Sequence, residues 1–93
     1  MSRTERRIFQ MNERLAELER EEAQVFEELQ FHRHLNDDAQ RDAAVSDHPE
    51  DRAGARQTAA DVARFERAVA EVQARRLRLE EKRGKLLDRL RDL

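Results

Sequence analysis

The side chains that could bind a metal or move a proton are the histidines and the acids beside them. His32 and His34 are two positions apart, so on a helix they point about 200° away from each other and cannot bind one metal ion together. His48 follows Asp47, but an aspartate at this kind of break is typical of a helix cap. We therefore expect neither a catalytic nor a metal site from the histidines.

Other patterns of catalysis and cofactor binding do not occur in the sequence. It contains no cysteine, which excludes a disulfide framework and a thiolate zinc site. Its two glycines, Gly54 and Gly84, are too far apart to form a glycine-rich loop for phosphate. The composition therefore predicts a protein that is not an enzyme and needs no cofactor.

Apolar residues recur at alternating steps of three and four along two stretches, which is the heptad pattern of a coiled coil. The first series is Ile8, Met11, Leu15, Leu18, Val25 and Leu29, and the second is Val62, Phe65, Val69, Val72, Leu79, Leu86, Leu90 and Leu93. Glu22, Arg76 and Arg83 occupy positions of the same seam. We expect their stems to pack while their charges reach water, and such polar positions can fix the register of the helices.

A single break separates the two stretches. Asp47 and Glu50 have the spacing of a capping box, and Pro49 falls in the first turn of the helix that follows. Ser2 and Glu5 form a second such box at the start of the chain. These signals predict an all-α antiparallel coiled-coil hairpin over residues 1–93, with helix 1 at about 3–42, a tip at about 43–47 and helix 2 at about 48–91.

Gly54 allows an alternative start for helix 2, because glycine weakens a helix by up to about 1 kcal/mol. Thr58 and Asp61 have the spacing of a third capping box. In this alternative, residues 43–57 form a longer, mobile tip.

The expected location of the protein rests on two kinds of apolar segment that the sequence does not show. No stretch approaches the ~20 apolar residues of a membrane span, and no apolar segment of a signal peptide follows the N-terminus. We expect a cytoplasmic protein without membrane contact. The excess of arginine over lysine is typical of a GC-rich bacterial genome.

Charge is distributed unevenly along the chain. Residues 31–54 carry six acidic and three basic groups, whereas residues 55–93 carry seven acidic and eleven basic groups. The expected tip is therefore acidic. Direct nucleic-acid binding is not expected, because the chain has a net charge of −2 and no Tyr or Trp for base stacking.

Several large apolar residues lie off the seam, where a two-helix hairpin leaves them in water. A patch of such residues usually marks an interface. We expect a homodimer, as a four-helix bundle, with a possible interface formed by Phe9, Phe26, Phe31, Leu35 and Leu77. Leu87 is also off the seam.

The stretch from His48 to Ala53 resembles the tip motif Asp-x-x-Asp-x-Ala of coiled-coil regulators of the DksA/TraR type. Asp51 matches the second acid and Ala53 the alanine, while Asp47 directly precedes the position of the first acid. Members of this family insert their coiled coil into the secondary channel of bacterial RNA polymerase and regulate transcription without being enzymes. The four-cysteine zinc finger of the family is absent here.

Two functions follow from these patterns. In the first, a coiled coil presents an acidic tip to a larger partner, which the resemblance implies to be RNA polymerase, and Asp47, Asp51 and Ala53 make the contact. In the second, a structural or adaptor hairpin acts through its flanks by forming homo-oligomers.

Overall fold

The computed structural model describes residues 1–92, and these form two long helices joined by a short turn. Helix α1 spans Arg3–Val45 and helix α2 spans Pro49–Arg91, so that only Ser46–His48 separate them. Side chains of α1 contact α2 along an antiparallel hairpin, and residues 1–92 include no strand. The predicted all-α helical hairpin is therefore confirmed. Leu93, the last residue of the second apolar series, lies outside the described residues.

Both helices follow the heptad seam over a longer distance than the apolar series indicates. In α1 the steps of three and four continue from Leu29 through His32, Asn36, Ala39 and Ala43, and all of these are at least half-buried. In α2 the seam begins at Ala55 and Thr58, before the first apolar residue of the predicted series, which is Val62. The inner positions nearest the turn are therefore small or polar residues.

The N-terminus of α1 has the capping box that the sequence predicts. The Glu5 amide donates to Ser2 Oγ at 3.1 Å, and the Ser2 amide donates to Glu5 Oε1 at 3.1 Å. The hydrogen bond from the Ser2 backbone, and then that from its side chain, lower the pKa of Glu5. Because folding lowers the pKa of Glu5, the cap contributes its full stabilisation at pH values above the ordinary pKa of glutamate. This stabilisation is lost as the pH falls through the lowered pKa.

The turn is shorter than predicted, and its capping differs. Helix α1 continues to Val45 rather than ending near 42. The helix start at Pro49 makes His48, not Asp47, the residue before the first turn, and the His48 carbonyl accepts from the Asp51 amide at 3.2 Å. Ser46 Oγ accepts from the His48 amide at 3.1 Å. The box predicted for Asp47 and Glu50 therefore does not form.

The alternative with a long mobile tip is wrong, because residues 49–57 are helical. Gly54 lies inside α2 without a positive φ angle, and a Cβ built there would meet nothing within 4 Å. Its cost is therefore only the extra backbone entropy of glycine, and the helix continues through it from its start at Pro49.

The hairpin divides into two compact units. In unit 1, Met1–Ala23 pack against the segment that begins at Glu71, and its buried apolar residues are Ile8, Leu15, Leu18, Val72 and Leu86. Unit 2 is Gln24–Ala70, which includes the turn, and its buried apolar residues are Leu29, Ala55 and Val69. Leu18 and Val72 are the most deeply buried large side chains of the described residues, each 2% exposed.

Candidate functional site

The turn brings the three predicted tip residues to the same end of unit 2, but it exposes them unequally. Asp47 lies in the Ser46–His48 turn and is exposed, and Ala53 is exposed on the next turn of α2. Asp51 is half-buried because it occupies a position of the seam. The next seam positions are Ala55, four residues later, and Thr58, three residues after that. Asp47 and Ala53 are therefore the more accessible members of the predicted site.

The acids around the turn are mostly free of cations. Asp38 lies 3.4 Å from Arg41 Nη2 and 4.0 Å from His34 Nε2. Within residues 1–92, no ion pair forms at Asp42, Asp47, Glu50 or Asp51. Unpaired carboxylates on a convex turn produce a negative potential that a cationic surface can recognise.

A polar network beneath the turn joins the two helices. Asn36 Oδ1 accepts from Gln40 Nε2 at 3.0 Å and lies 2.9 Å from Thr58 Oγ1. Gln40 Nε2 also donates to the Ala55 carbonyl at 2.9 Å, so a side chain of α1 reaches the backbone of α2. The Thr58 hydroxyl has one proton and lies 3.1 Å from the same carbonyl, so it donates to one of its two acceptors at a time.

This network favours one register of the two helices beside the turn. An asparagine at an inner coiled-coil position specifies register, because other registers leave its amide without partners. The apolar series did not reveal it, since Asn36 and Thr58 are polar. Continuing the three-four spacing beyond Leu29 would have found Asn36, and continuing it back from Val62 would have found Thr58.

His32 is a packed seam residue, three positions after Leu29. Its ring is half-buried and stacks on Phe65, with 4.4 Å between the centroids. Phe31 meets the same imidazole edge-on at 5.5 Å, and the Arg64 guanidinium lies 5.2 Å from the centre of the Phe65 ring. Residues 1–92 contain no cluster of three or more metal-binding side chains.

The off-seam apolar residues are exposed, as their positions predict, and they are divided between the two units. Phe9 and Leu77 belong to unit 1 and are 55% and 54% exposed. In unit 2, Phe31 and Leu35 are four residues apart and lie on one side of α1. Phe26 is five residues before Phe31 and faces a different direction. Leu87 of unit 1 is also exposed.

The three charged residues on the seam of unit 1 have partners on the opposite helix or nearby. Glu22 Oε1 lies 3.6 Å from Arg76 Nε, and Arg76 Nη1 donates to Glu80 at 3.2 Å. Arg83 Nη1 donates to Asn12 Oδ1 at 2.9 Å. Their charges therefore do not simply reach water, because the partners across the seam are close enough to pair with them.

The chain matches no family model, and neither a curated protein nor a solved structure shows significant similarity to it. Within residues 1–92, neither helix combines the length and the apolar character needed to cross a bilayer.

Proposed function

We propose that this hairpin is a non-enzymatic protein-interaction module that presents an acidic turn to a larger partner. The observation that supports the proposal most directly is the three-residue turn between two continuous helices, with an exposed, unpaired Asp47 at its centre. A turn of only three residues can enter a recess that a broader loop could not. The network of Asn36, Gln40 and Thr58 limits the conformational entropy lost when the turn is bound.

The resemblance of residues 48–53 to the DksA/TraR tip makes bacterial RNA polymerase the candidate partner. On this proposal the protein is a cytoplasmic bacterial regulator of transcription. Asp47 and Asp51 act by their charge near a cationic or metal-bearing site of the partner, and Ala53 gives the close contact. The half-burial of Asp51 suggests that Asp47 contributes more of this charge.

The tip proposal predicts that Asp47→Asn and Asp51→Asn weaken binding while preserving the fold. Asparagine is nearly isosteric with aspartate but carries no charge, and within residues 1–92 neither the Asp47 nor the Asp51 carboxylate makes a hydrogen bond at the start of α2. We expect the double variant to bind purified bacterial RNA polymerase at least about tenfold more weakly, the equivalent of about 1.4 kcal/mol, in a fluorescence anisotropy titration. Helicity and thermal stability should stay at the wild-type level.

The control for each single variant is Asp88→Asn, which removes one exposed carboxylate from unit 1 that forms no ion pair within residues 1–92. It should leave the affinity unchanged. Equal affinity of the wild type and the double variant would mean that the acidic turn only connects the helices. Absence of binding by the wild type would remove the polymerase as the partner.

A second function, self-association through the flanks, is favoured by the exposed apolar side chains. Phe31 is 60% exposed, and its neighbour Leu35 extends the apolar surface along the same side of α1. Exposed residues of this size in one contiguous group are typical of interfaces. On this proposal the hairpin is a homodimeric adaptor whose interface is centred on Phe31 and Leu35.

The adaptor proposal predicts a mass of about twice 11.0 kDa in sedimentation equilibrium. Phe31→Ser with Leu35→Ser should return the protein to a monomer without changing its helicity, because neither side chain belongs to the core. Val45→Ser is the control, since Val45 is 89% exposed at the end of α1 and lies outside the proposed interface. A wild type that is monomeric at high micromolar concentration would contradict the adaptor proposal.

A further inference from the structure

Unit 1 has a groove between its helices whose floor is apolar and whose rims are basic. Two adjoining hollows share Lys82 and together form this basic groove. Its floor is formed by the half-buried Met11 and Leu79, with the core residues Leu18 and Leu86 behind them. Its rims include Arg7 and Arg14 from α1, and Arg78, Lys82, Lys85 and Arg89 from α2.

Most of these cations lack an acidic partner. Arg14 pairs with Glu17 at 2.9 Å, and Arg75, also beside the groove, lies 3.7 Å from Glu21. Within residues 1–92, the other five rim cations take part in no ion pair or side-chain hydrogen bond. Like charges facing each other across a groove repel, so an anionic occupant would lower the free energy of this surface.

The spacing of the cations indicates what kind of anion fits. Arg7 and Arg14 are seven residues apart, and so are Lys82 and Arg89. Seven residues are two helical turns, which is the repeat of a helix packed alongside in a coiled coil. A helix with acidic residues on both sides of an apolar stripe would place its carboxylates along the two basic rims of the groove. Its apolar stripe would cover the floor.

Two other occupants fit this surface less well. The phosphates of a nucleic acid would neutralise the cations, but polar sugar and phosphate groups would then cover the aliphatic floor. The chain also has no Tyr or Trp on which bases could stack. A second copy docked by the same surface in a two-fold dimer would place one basic groove against another.

We propose that the basic groove binds an acidic amphipathic helix of another protein, which packs against α1 and α2 as a third helix. This surface is separate from the acidic turn and does not depend on the function proposed for it. The groove would thus recognise a partner by charge and helical repeat, in the helix-in-groove mode.

The test uses a synthetic peptide of three heptads with Leu at the inner positions and Glu at the flanking positions. Such a peptide is disfavoured as a coiled coil on its own at neutral pH, because its flanking charges repel. With the wild-type protein at low salt, we expect the peptide to become helical by circular dichroism and to bind in a calorimetric titration. The same peptide with Lys at the flanking positions should not bind.

Lys82→Glu with Lys85→Glu should weaken the binding of the acidic peptide by about tenfold or more. The control is Arg20→Glu with Arg67→Glu, which makes the same change in net charge at two exposed, unpaired arginines outside the groove. It should change the affinity by less than about threefold. All of these side chains are exposed, so both variants should fold, which the helicity and melting temperature of each will verify.

The proposal would be overturned by no binding of the acidic peptide, by an equal loss in both variants, or by tighter binding of a DNA duplex than of the peptide at the same salt. Loss of self-association in Lys82→Glu with Lys85→Glu alone would identify a second copy as the occupant, and would also overturn it.

Discussion

Leu18→Ala is expected to lower the free energy of unfolding by about 2–5 kcal/mol, the range for deletion of a fully buried leucine side chain. Leu18 is 2% exposed in unit 1, where the buried set is small. The loss includes the apolar surface no longer buried and the cavity left between two helices that cannot close over it. Because small domains are often stable by only 5–15 kcal/mol, such a loss would be a large fraction of the total.

Urea and thermal unfolding monitored by circular dichroism at the helix band provide the measurement, and Leu77→Ala provides the control. Leu77 is in the same unit and undergoes the same chemical change, but it is 54% exposed. Its replacement should alter stability by no more than about 0.5 kcal/mol. Similar losses at the two positions would mean that the heptad seam is not what stabilises the hairpin.

The core of unit 1 could be predicted from the sequence because its heptad positions contrast with their surroundings. Leucine and valine at steps of three and four stand out among Glu and Arg, so the burial of Leu18, Val72 and Leu86 follows from the periodicity alone. The same reasoning identified the exposed residues, since Phe31 and Leu77 do not belong to that spacing.

The inner face of unit 2 could not be predicted in the same way. Near the turn the seam consists of His32, Asn36 and alanines, and alanine occurs both inside and outside a helix. The steps of three and four continue along the seam. The residues at these positions are no more hydrophobic than their neighbours in the sequence, so the spacing alone does not reveal them. The hydrogen bond from Gln40 to the Ala55 carbonyl depends on the exact register of the two helices, which the local sequence does not contain.

The turn illustrates a competition between local signals. Asp47 and Glu50 have the spacing of a capping box, but the actual helix start makes His48 the residue before Pro49. Ser46 Oγ accepts the His48 amide, which leaves the carboxylate of Asp47 outside the capping interactions. The same displacement leaves that carboxylate exposed, and this exposure is the basis of the tip proposal.

The pairing of the charged seam residues also depended on register. Glu22 and Arg76 each interrupt an apolar series, and the sequence indicates only that both stems pack. The structure brings Glu22 Oε1 within 3.6 Å of Arg76 Nε, because the two helical segments of unit 1 pack with these seam positions beside each other. Two interruptions thus become one interaction across the seam of unit 1.

This pair leads to a prediction about energetic coupling. Glu22→Leu and Arg76→Leu should each destabilise the hairpin, by about 1–2 kcal/mol, because each leaves a half-buried charge without its partner. The loss is smaller than for a fully buried pair, since the two side chains are 23% and 29% exposed. Glu22→Leu should cost less than Arg76→Leu, because Arg76 then keeps its bond to Glu80 at 3.2 Å.

The double variant, with Leu at both positions, should be at least as stable as the wild type, because an apolar pair of similar size replaces two partly desolvated charges. A double-mutant cycle measured by urea unfolding should then give a coupling energy of at least about 2 kcal/mol, because the two single losses add while the double variant loses nothing. The control cycle uses Arg14 and Glu17, a pair in the same unit whose side chains are 48% and 54% exposed, for which about 0.2–0.5 kcal/mol is expected. If the two cycles give equal coupling, the seam pair behaves as a surface ion pair. The other outcome is a larger seam coupling, with a double variant that forms mixed oligomers in sedimentation. That result would mean that Glu22 and Arg76 specify a single register of the hairpin at a cost in stability.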